Sequence, residues 1–158
     1  MSEKSEKLLK DWLLHATRKA HAHVKCAGRS RFYRNLIGIP SVVLSAIVGT
    51  AVFAEIQNNA DTAYKAWVIF AVLLAAVLTS LQTFFNFGEK EQAHLIAGKR
   101  YAQVRRMIEK NIALQLSSQK DLDAVEAALN DAKDIEPGIL DSVWAVVESK
   151  WTLQSLGI

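Results

Sequence analysis

The chain has 158 residues, of which 51% are apolar and 22% are charged, and its formal net charge is +3. This composition excludes a disordered or collagen-like chain. Charged residues are absent from two windows, Asn35 to Ala54 and Ala66 to Gly88. At about 1.5 Å per helical residue, each window can cross the hydrocarbon layer of a bilayer. A water-soluble globule is therefore disfavoured.

Apolar residues before the first window recur at every third or fourth position, which indicates a seam along one helix. This seam consists of Leu9, Leu13, Ala16, Ala20, Val24 and Ala27. The same spacing follows the second window, so we expect the second membrane helix also to run on into the cytoplasm. The second seam consists of Ala93, Ala97, Tyr101, Val104, Ile108 and Ile112. Because both seams contain alanine, the two extensions should pack closely as an antiparallel pair.

The first membrane span is predicted at about residues 35–56. Ser41, Ser45 and Gly49 lie at four-residue steps, and such small residues let another helix approach closely. The approaching helix belongs either to the same hairpin or to another subunit. Gly38 and Pro40 are hinge candidates, because proline lacks a backbone donor and glycine weakens a helical turn.

The loop from Glu55 to Lys65 is predicted to make the two spans neighbours. It is short, and it contains the turn-favouring residues Asn58, Asn59 and Asp61.

The second membrane span is predicted at about residues 65–88, and it carries a polar stripe. The stripe consists of Thr79, Gln82, Thr83 and Asn86, which share one helical face. An unpaired amide is costly in hydrocarbon, so this face should avoid lipid. It either packs inside the bundle or lines a pore within an oligomer.

Two short helices are predicted after the second seam. Ser118 and Asp121 indicate the start of one helix, and Pro137 indicates the first turn of the other. The last helix carries an apolar surface that we expect to contact another subunit or a partner. This surface consists of Val143, Trp144, Val147 and Trp151. The eight acidic residues between positions 121 and 148 are expected to be solvated, with folding back on the basic extensions or contact with another subunit as alternatives.

Basic residues flank both spans on the side away from the connecting loop. They are Arg18, Lys19, Lys25, Arg29, Arg31 and Arg34 before the first span, and Lys90, Lys99, Arg100, Arg105 and Arg106 after the second. Because basic loops resist translocation, both termini are predicted to be cytoplasmic. The same charges do not indicate nucleic-acid binding, since few aromatic residues lie among them.

A metal site is the main chemical alternative to a purely structural role for the two extensions. His23, Cys26 and His94 carry zinc-ligand groups, but His21 and His23 are two positions apart and point to different sides of a helix. Core or interfacial histidines are therefore favoured, and we predict no metal and no cofactor. No phosphate-binding glycine loop, nucleophile elbow or carboxylate dyad is present, so no enzyme activity is expected.

Residues 31–55 and 79–109 resemble the SLATT family of two-transmembrane effector domains from prokaryotic conflict systems. The more specific parts are Leu36 to Pro40, Leu81 to Phe87, and then His94, Ala97, Gly98 and Tyr101. The resemblance implies a membrane effector that assembles in the bacterial inner membrane and breaches it in an antiphage, abortive-infection response. It also implies a separate partner protein, such as a sensor, a nucleotide cyclase or a reverse transcriptase. Residues 113–158 are too few and too helical to form a nucleotide-sensing domain.

The sequence therefore predicts an all-α membrane protein. Residues 1–116 should form a long two-span helical hairpin that extends into the cytoplasm, and residues 117–158 should form two short cytoplasmic helices. The expected function is permeabilisation of the inner membrane by a homo-oligomer whose path is lined by the polar stripe. The alternative is a membrane-anchored, non-conducting scaffold that recruits a cytoplasmic partner.

Overall fold

The computed structural model describes residues 3–57, 62–116 and 118–157, and 90% of these residues are helical. No strand occurs among the described residues, which confirms the all-α prediction. The helices are α1 (Glu3–Gln57), α2 (Thr62–Phe85), α3 (Phe87–Ala113), α4 (Gln119–Asp134) and α5 (Asp141–Lys150), followed by a 3₁₀ turn at Gln154–Leu156.

The chain divides into two compact units. We call Ser30–Gly88 the apolar hairpin, and we call Met1–Arg29 with Glu89–Ile158 the polar unit. The C-terminal helices therefore belong to the same unit as the two extensions.

The apolar hairpin contains the two predicted spans. Both lie in helices long and apolar enough to cross a membrane, with mean hydropathies of 1.4 and 2.2 in their most apolar windows. Only 11% of each window is buried inside the protein. Such surfaces are suited to lipid or to another protein rather than to water. Asn58, Asn59 and Asp61 of the predicted loop lie outside the described residues.

A further helix follows the second span directly, after an interruption of one residue. α2 ends at Phe85 and α3 begins at Phe87. Between them Asn86 has a φ of 43°, in the left-handed region that asparagine tolerates better than most side chains. The spacing of apolar residues predicts helical structure on both sides of this position, but it contains no information about the backbone conformation of one residue.

The core of the polar unit joins α1, α3 and α4. Its buried members are Leu9, Leu13, Ala16, Tyr101, Val104, Ile108, Val125 and Ala132. Most of both predicted seams therefore lies in the core, but Val24 is 56% exposed while His23 is 0% exposed. The two positions are adjacent, and the 3.6-residue period accommodates either of them.

The two extensions pack closely, as the alanines predicted. A Cβ atom added at Gly98 of α3 would lie 3.4 Å from the Cβ of His23 and 3.6 Å from the carbonyl oxygen of Ala20, both on α1. A methyl group is about the largest substituent that this helix contact accommodates.

α3 ends in a Schellman motif. The amide of Gln115 donates to the carbonyl of Ile112, and the amide of Leu116 donates to that of Asn111. Gln115 has a φ of 52°, the left-handed conformation that this motif requires.

α4 begins as predicted, with Ser118 and Asp121 forming a reciprocal capping box. The prediction for Pro137 is wrong, because α5 starts only at Asp141 and its N-cap is Leu140. Residues 136–140 are instead non-helical, and Glu136 points into the polar unit, where it contacts α1 and α3.

The acidic C-terminal segment folds back on the basic extensions, which the sequence analysis gave only as an alternative. Lys19 pairs with Glu136 at 2.8 Å, Arg18 with Glu148 at 3.6 Å, and Arg100 with Asp131 at 3.4 Å. Apolar burial of Val125, Ala132 and Val147 accompanies these pairs. Burial of these side chains is the larger stabilising contribution, since exposed ion pairs contribute little.

Candidate functional site

The polar stripe of α2 lies partly against α1 and partly at the surface of the apolar hairpin. Thr79 Oγ1 lies 2.8 Å from the Oγ of Ser41, within a hydrogen bond that joins the two helices. The hydroxyl of Thr83 donates to the carbonyl of Thr79 in its own helix. Thr79, Thr83 and Asn86 are exposed, while Gln82 is half-buried. The stripe therefore contributes to packing within the hairpin and also remains accessible.

A cavity of about 430 Å³ opens along this stripe. Its lining consists of Arg34, Thr79, Gln82, Thr83, Asn86, Phe87 and Gly88. A second cavity, of about 340 Å³, shares Arg34 and Gln82 with the first and has a more apolar wall that includes Ile39, Val42 and Val43. Gln82 therefore lines both a polar recess and an apolar groove.

The small residues of α1 have different surroundings. Ser41 is 5% exposed because it faces α2. The hydroxyl of Ser45 donates to the carbonyl of Ser41 in its own helix, and a Cβ added at Gly49 would meet nothing within 4 Å. Of the three, Ser41 thus contacts the other span, and the surface at Gly49 is open within a single chain.

The two hinge candidates both lie inside α1. The helix is continuous through Pro40. Gly38 is buried, and a Cβ added there would lie 3.3 Å from the amide nitrogen of Gln82. Glycine at this position therefore allows the polar side chain of α2 to lie close to α1.

A buried polar cluster in the polar unit was not predicted as a unit. Glu136 accepts hydrogen bonds from Lys19 at 2.8 Å and from the hydroxyl of Tyr101 at 2.8 Å. His23 Nε2 lies 3.2 Å from the same carboxylate, and His23 Nδ1 lies 3.0 Å from Nδ1 of His94. The cluster therefore connects α1, α3 and the segment that follows α4.

Burial and hydrogen bonding shift the pKa values of the ionisable groups in this cluster. Burial lowers the pKa of His23 and His94, and the nearby His23 lowers that of His94 further. Burial also raises the pKa of Tyr101, as does its hydrogen bond to Glu136. For Glu136, burial opposes ionisation, but hydrogen bonds from Lys19, Tyr101 and His23 outweigh it, and the pKa is lowered. At neutral pH the cluster contains a carboxylate and two neutral imidazoles.

The sequence contained only part of the signal for this cluster. His23 and His94 were recognised as neighbours across the extensions, but with Cys26 as a third zinc-ligand group. In the described residues, no group of three histidine, cysteine or acidic side chains is arranged to hold a metal ion. Glu136 was missed because it is more than one hundred positions from its α1 partners, and nothing in its local sequence indicates such a contact.

The apolar surface of the last helix packs against α1 of the same chain. Val147 is 1% exposed, and the ring of Trp151 stacks on His21 at 4.5 Å between centroids. The Nζ of Lys19 lies 5.5 Å from the ring centre of Trp144, and Val143 is half-buried. The surface that was predicted to meet a partner is thus occupied within the polar unit.

A comparison with family models gives a match over most of the chain. The model described as SMODS and SLOG-associating 2TM effector domain family 4 matches residues 8–133. No curated protein and no solved structure is similar enough to count as a match. The matched range includes both apolar helices and all of α3, and it extends through most of α4. The chain therefore belongs to the SLATT family of two-transmembrane effector domains and is a membrane protein.

Proposed function

We propose that this effector assembles as a homo-oligomer and permeabilises the inner membrane in an antiphage, abortive-infection response. In this proposal both termini are cytoplasmic, and the chain acts as a pore rather than as an enzyme. The positive-inside distribution of Lys and Arg supports the orientation. A separate sensor, nucleotide cyclase or reverse transcriptase supplies the trigger in the cell, whereas purified protein concentrated in liposomes is expected to assemble without it. No direct contact with nucleic acid is needed.

The observation that carries the proposal is the polar cavity at the surface of the apolar hairpin. Threonine hydroxyls and the Gln82 amide line a recess of about 430 Å³ in a segment otherwise suited to lipid. The two threonine hydroxyls donate to carbonyls of α2. Hydrocarbon does not solvate the Gln82 amide, so a neighbouring helix or water must cover it. A ring of subunits that turn this face inward would satisfy the stripe with water.

The outer surface of α1 supports close assembly. Gly49 has open space where a Cβ atom would lie, and Ser45 satisfies its own hydroxyl within its helix. A helix of a second subunit can therefore approach this part of α1 closely and gain van der Waals contacts. Ser41 is already used inside the hairpin, so Ser45 and Gly49 form the subunit contact in our proposal.

The pore assignment is tested by two substitutions in the polar stripe. Gln82→Leu and Thr83→Val remove polar groups from the cavity while approximately preserving side-chain volume. If the stripe lines the path, dye release from liposomes containing either variant should fall towards the level of protein-free liposomes. Ser80→Ala is the matched control, because the Ser80 hydroxyl also donates within its own helix but lies outside the cavity lining.

Release that is unchanged in both stripe variants, at equal protein incorporation, would remove the pore assignment. The alternative scaffold function would then be favoured if the protein also leaves the membrane potential intact. A scaffold that uses the last helix requires Val147 to become exposed and Trp151 to leave His21 of α1, because Val147 is buried and Trp151 stacks on His21 in the single chain.

A further inference from the structure

The cluster around Glu136 holds the C-terminal segment on the two extensions. The carboxylate accepts from Lys19 and His23 of α1 and from Tyr101 of α3. The chain then continues into α5, whose Val147 is buried. The guanidinium of Arg18 donates to the carbonyl of Trp151 at 2.9 Å, just beyond α5. Loss of the contacts of Glu136 would free this segment at its start.

Hydrogen-bond chemistry fixes the protons of the histidine pair. An ionised carboxylate only accepts, so the Nε2 of His23 that faces Glu136 carries a hydrogen. The Nδ1 of neutral His23 is then a bare acceptor, and Nδ1 of His94 must donate to it across 3.0 Å. The resting pair therefore has one hydrogen between the two Nδ1 atoms.

The pair accommodates one extra proton but not two. When His23 is protonated, its Nε2 donates to Glu136 and its Nδ1 donates to Nδ1 of His94. For this, neutral His94 must carry its own hydrogen on Nε2 instead of Nδ1. A second proton places hydrogens on both Nδ1 atoms and two positive charges side by side. The 3.0 Å contact between the rings does not survive in that state.

We propose that His23, His94 and Glu136 form a proton-operated latch that holds the C-terminal segment on α1 and α3. With no more than one extra proton on the pair the latch is closed, and a second extra proton releases residues 136–157. The latch regulates the surface of the polar unit, and it is independent of whether the apolar hairpin conducts.

The charges around the pair set the pH range. Burial is the main cause of the lowered histidine pKa values, and Glu136 opposes it at His23 while Lys19 reinforces it. His15 of α1 also interacts with Lys19 and Glu136 of this cluster. His21 of α1 stacks on Trp151 of the held segment, and burial lowers its pKa as well. Because the closed form binds fewer protons than the released form, the latch is fully stable above a pH of about 6.5 and weakens as the pH falls.

Hydrogen exchange of the full chain in lipid nanodiscs tests the latch. The readout is the protection of the α5 amides at pH 7.5, 6.5 and 5.5, after division by the intrinsic exchange rates. A ten-residue helix is marginal once it is released, so it should exchange. In the native chain the protection should fall below pH 6.5, by up to about tenfold per pH unit for each histidine that takes up a proton on release.

His94→Asn provides the decisive comparison. Its amide can either donate to or accept from His23 and does not titrate in this range, so the protection of α5 should fall less steeply with decreasing pH than in the native chain. The slope that remains comes from His23 and from His21, which stacks on Trp151 of the held segment. His15→Asn removes another histidine of α1 that lies outside the pair and should lose less of the native slope than His94→Asn. A flat profile in the native chain, or an equal slope in His94→Asn, would overturn the proposal.

Glu136→Gln is a second variant in case His94→Asn does not fold. It removes the charged acceptor shared by Lys19, His23 and Tyr101, so the protection of α5 should already be about tenfold lower at pH 7.5. Native protection in this variant would show that Glu136 does not hold the segment, and the latch would be rejected. Because none of these readouts measures conduction, failure of the latch and failure of the pore proposal are distinguishable.

Discussion

Fully buried apolar side chains stabilise the polar unit residue by residue. Leu9, Ile108 and Val125 are each 0% exposed and belong to one core cluster that spans α1, α3 and α4. Truncating such a side chain loses its transfer free energy and leaves a cavity in a close-packed interior. The core is therefore more sensitive to substitution than the exposed apolar residues on the same helices.

Ile108→Ala should lower the free energy of unfolding of the polar unit by about 2–5 kcal/mol. Ile96→Ala is the matched control on α3, since Ile96 is 50% exposed, and it should cost less than about 1 kcal/mol. Urea denaturation followed by circular dichroism measures both. Equal losses for the two variants would contradict the burial pattern.

Single residues show how far the sequence could predict the core. Ala97, Tyr101 and Ile108 were correctly placed because they recur at helical spacing among polar neighbours. Val24 was wrongly placed because the choice between Val24 and His23 depends on the partners of the histidine. Those partners, His94 and Glu136, are supplied by distant parts of the chain, and helical spacing contains no information about them.

At the scale of elements, the junction between α2 and α3 depends on one backbone conformation. Asn86 has a φ of 43° between two helices that otherwise follow one another directly. A left-handed conformation costs other L-residues about 1–2 kcal/mol, and glycine adopts it freely.

Asn86→Gly should leave the junction intact, whereas Asn86→Ala should destabilise it by about 1 kcal/mol. The thermal midpoints of the two variants in the same detergent provide the comparison, with the native chain as the reference. Equal midpoints for glycine and alanine would show that the left-handed conformation is not required. Because Asn86 affects the backbone, it is also a poorer probe of the polar stripe than Gln82 or Thr83.

The elements that the sequence predicted correctly have local causes. The start of α4 follows from Ser118 and Asp121, which satisfy each other within one helical turn. Pro137 was misleading because Glu136, its neighbour, is held in contacts with α1 and α3, and the helix begins only at Asp141. Local signals predict where a helix can begin, and tertiary contacts decide whether it does.

At the scale of the whole molecule, two uncharged windows were sufficient to predict a two-span membrane protein. Their length and hydropathy are properties of the sequence alone, and the family match over residues 8–133 agrees with them. The return of the acidic C-terminal segment onto the basic extensions was only one of several alternatives. A charged face is compatible with solvent, with its own chain and with another subunit, so composition does not distinguish these states.

The chain has a polar recess in its apolar hairpin and a buried histidine pair with Glu136 in its polar unit. The recess bears on conduction, and the cluster bears on the state of the C-terminal segment. Each has its own variants and its own readout, so the two proposals can succeed or fail separately.

The most direct test of the central claim is dye and ion release from liposomes that contain the purified protein, with its oligomer mass measured in the same detergent. A pore effector predicts release by an oligomer of discrete mass. A protein that leaves the liposomes tight, as a monomer or as an oligomer, would contradict the account.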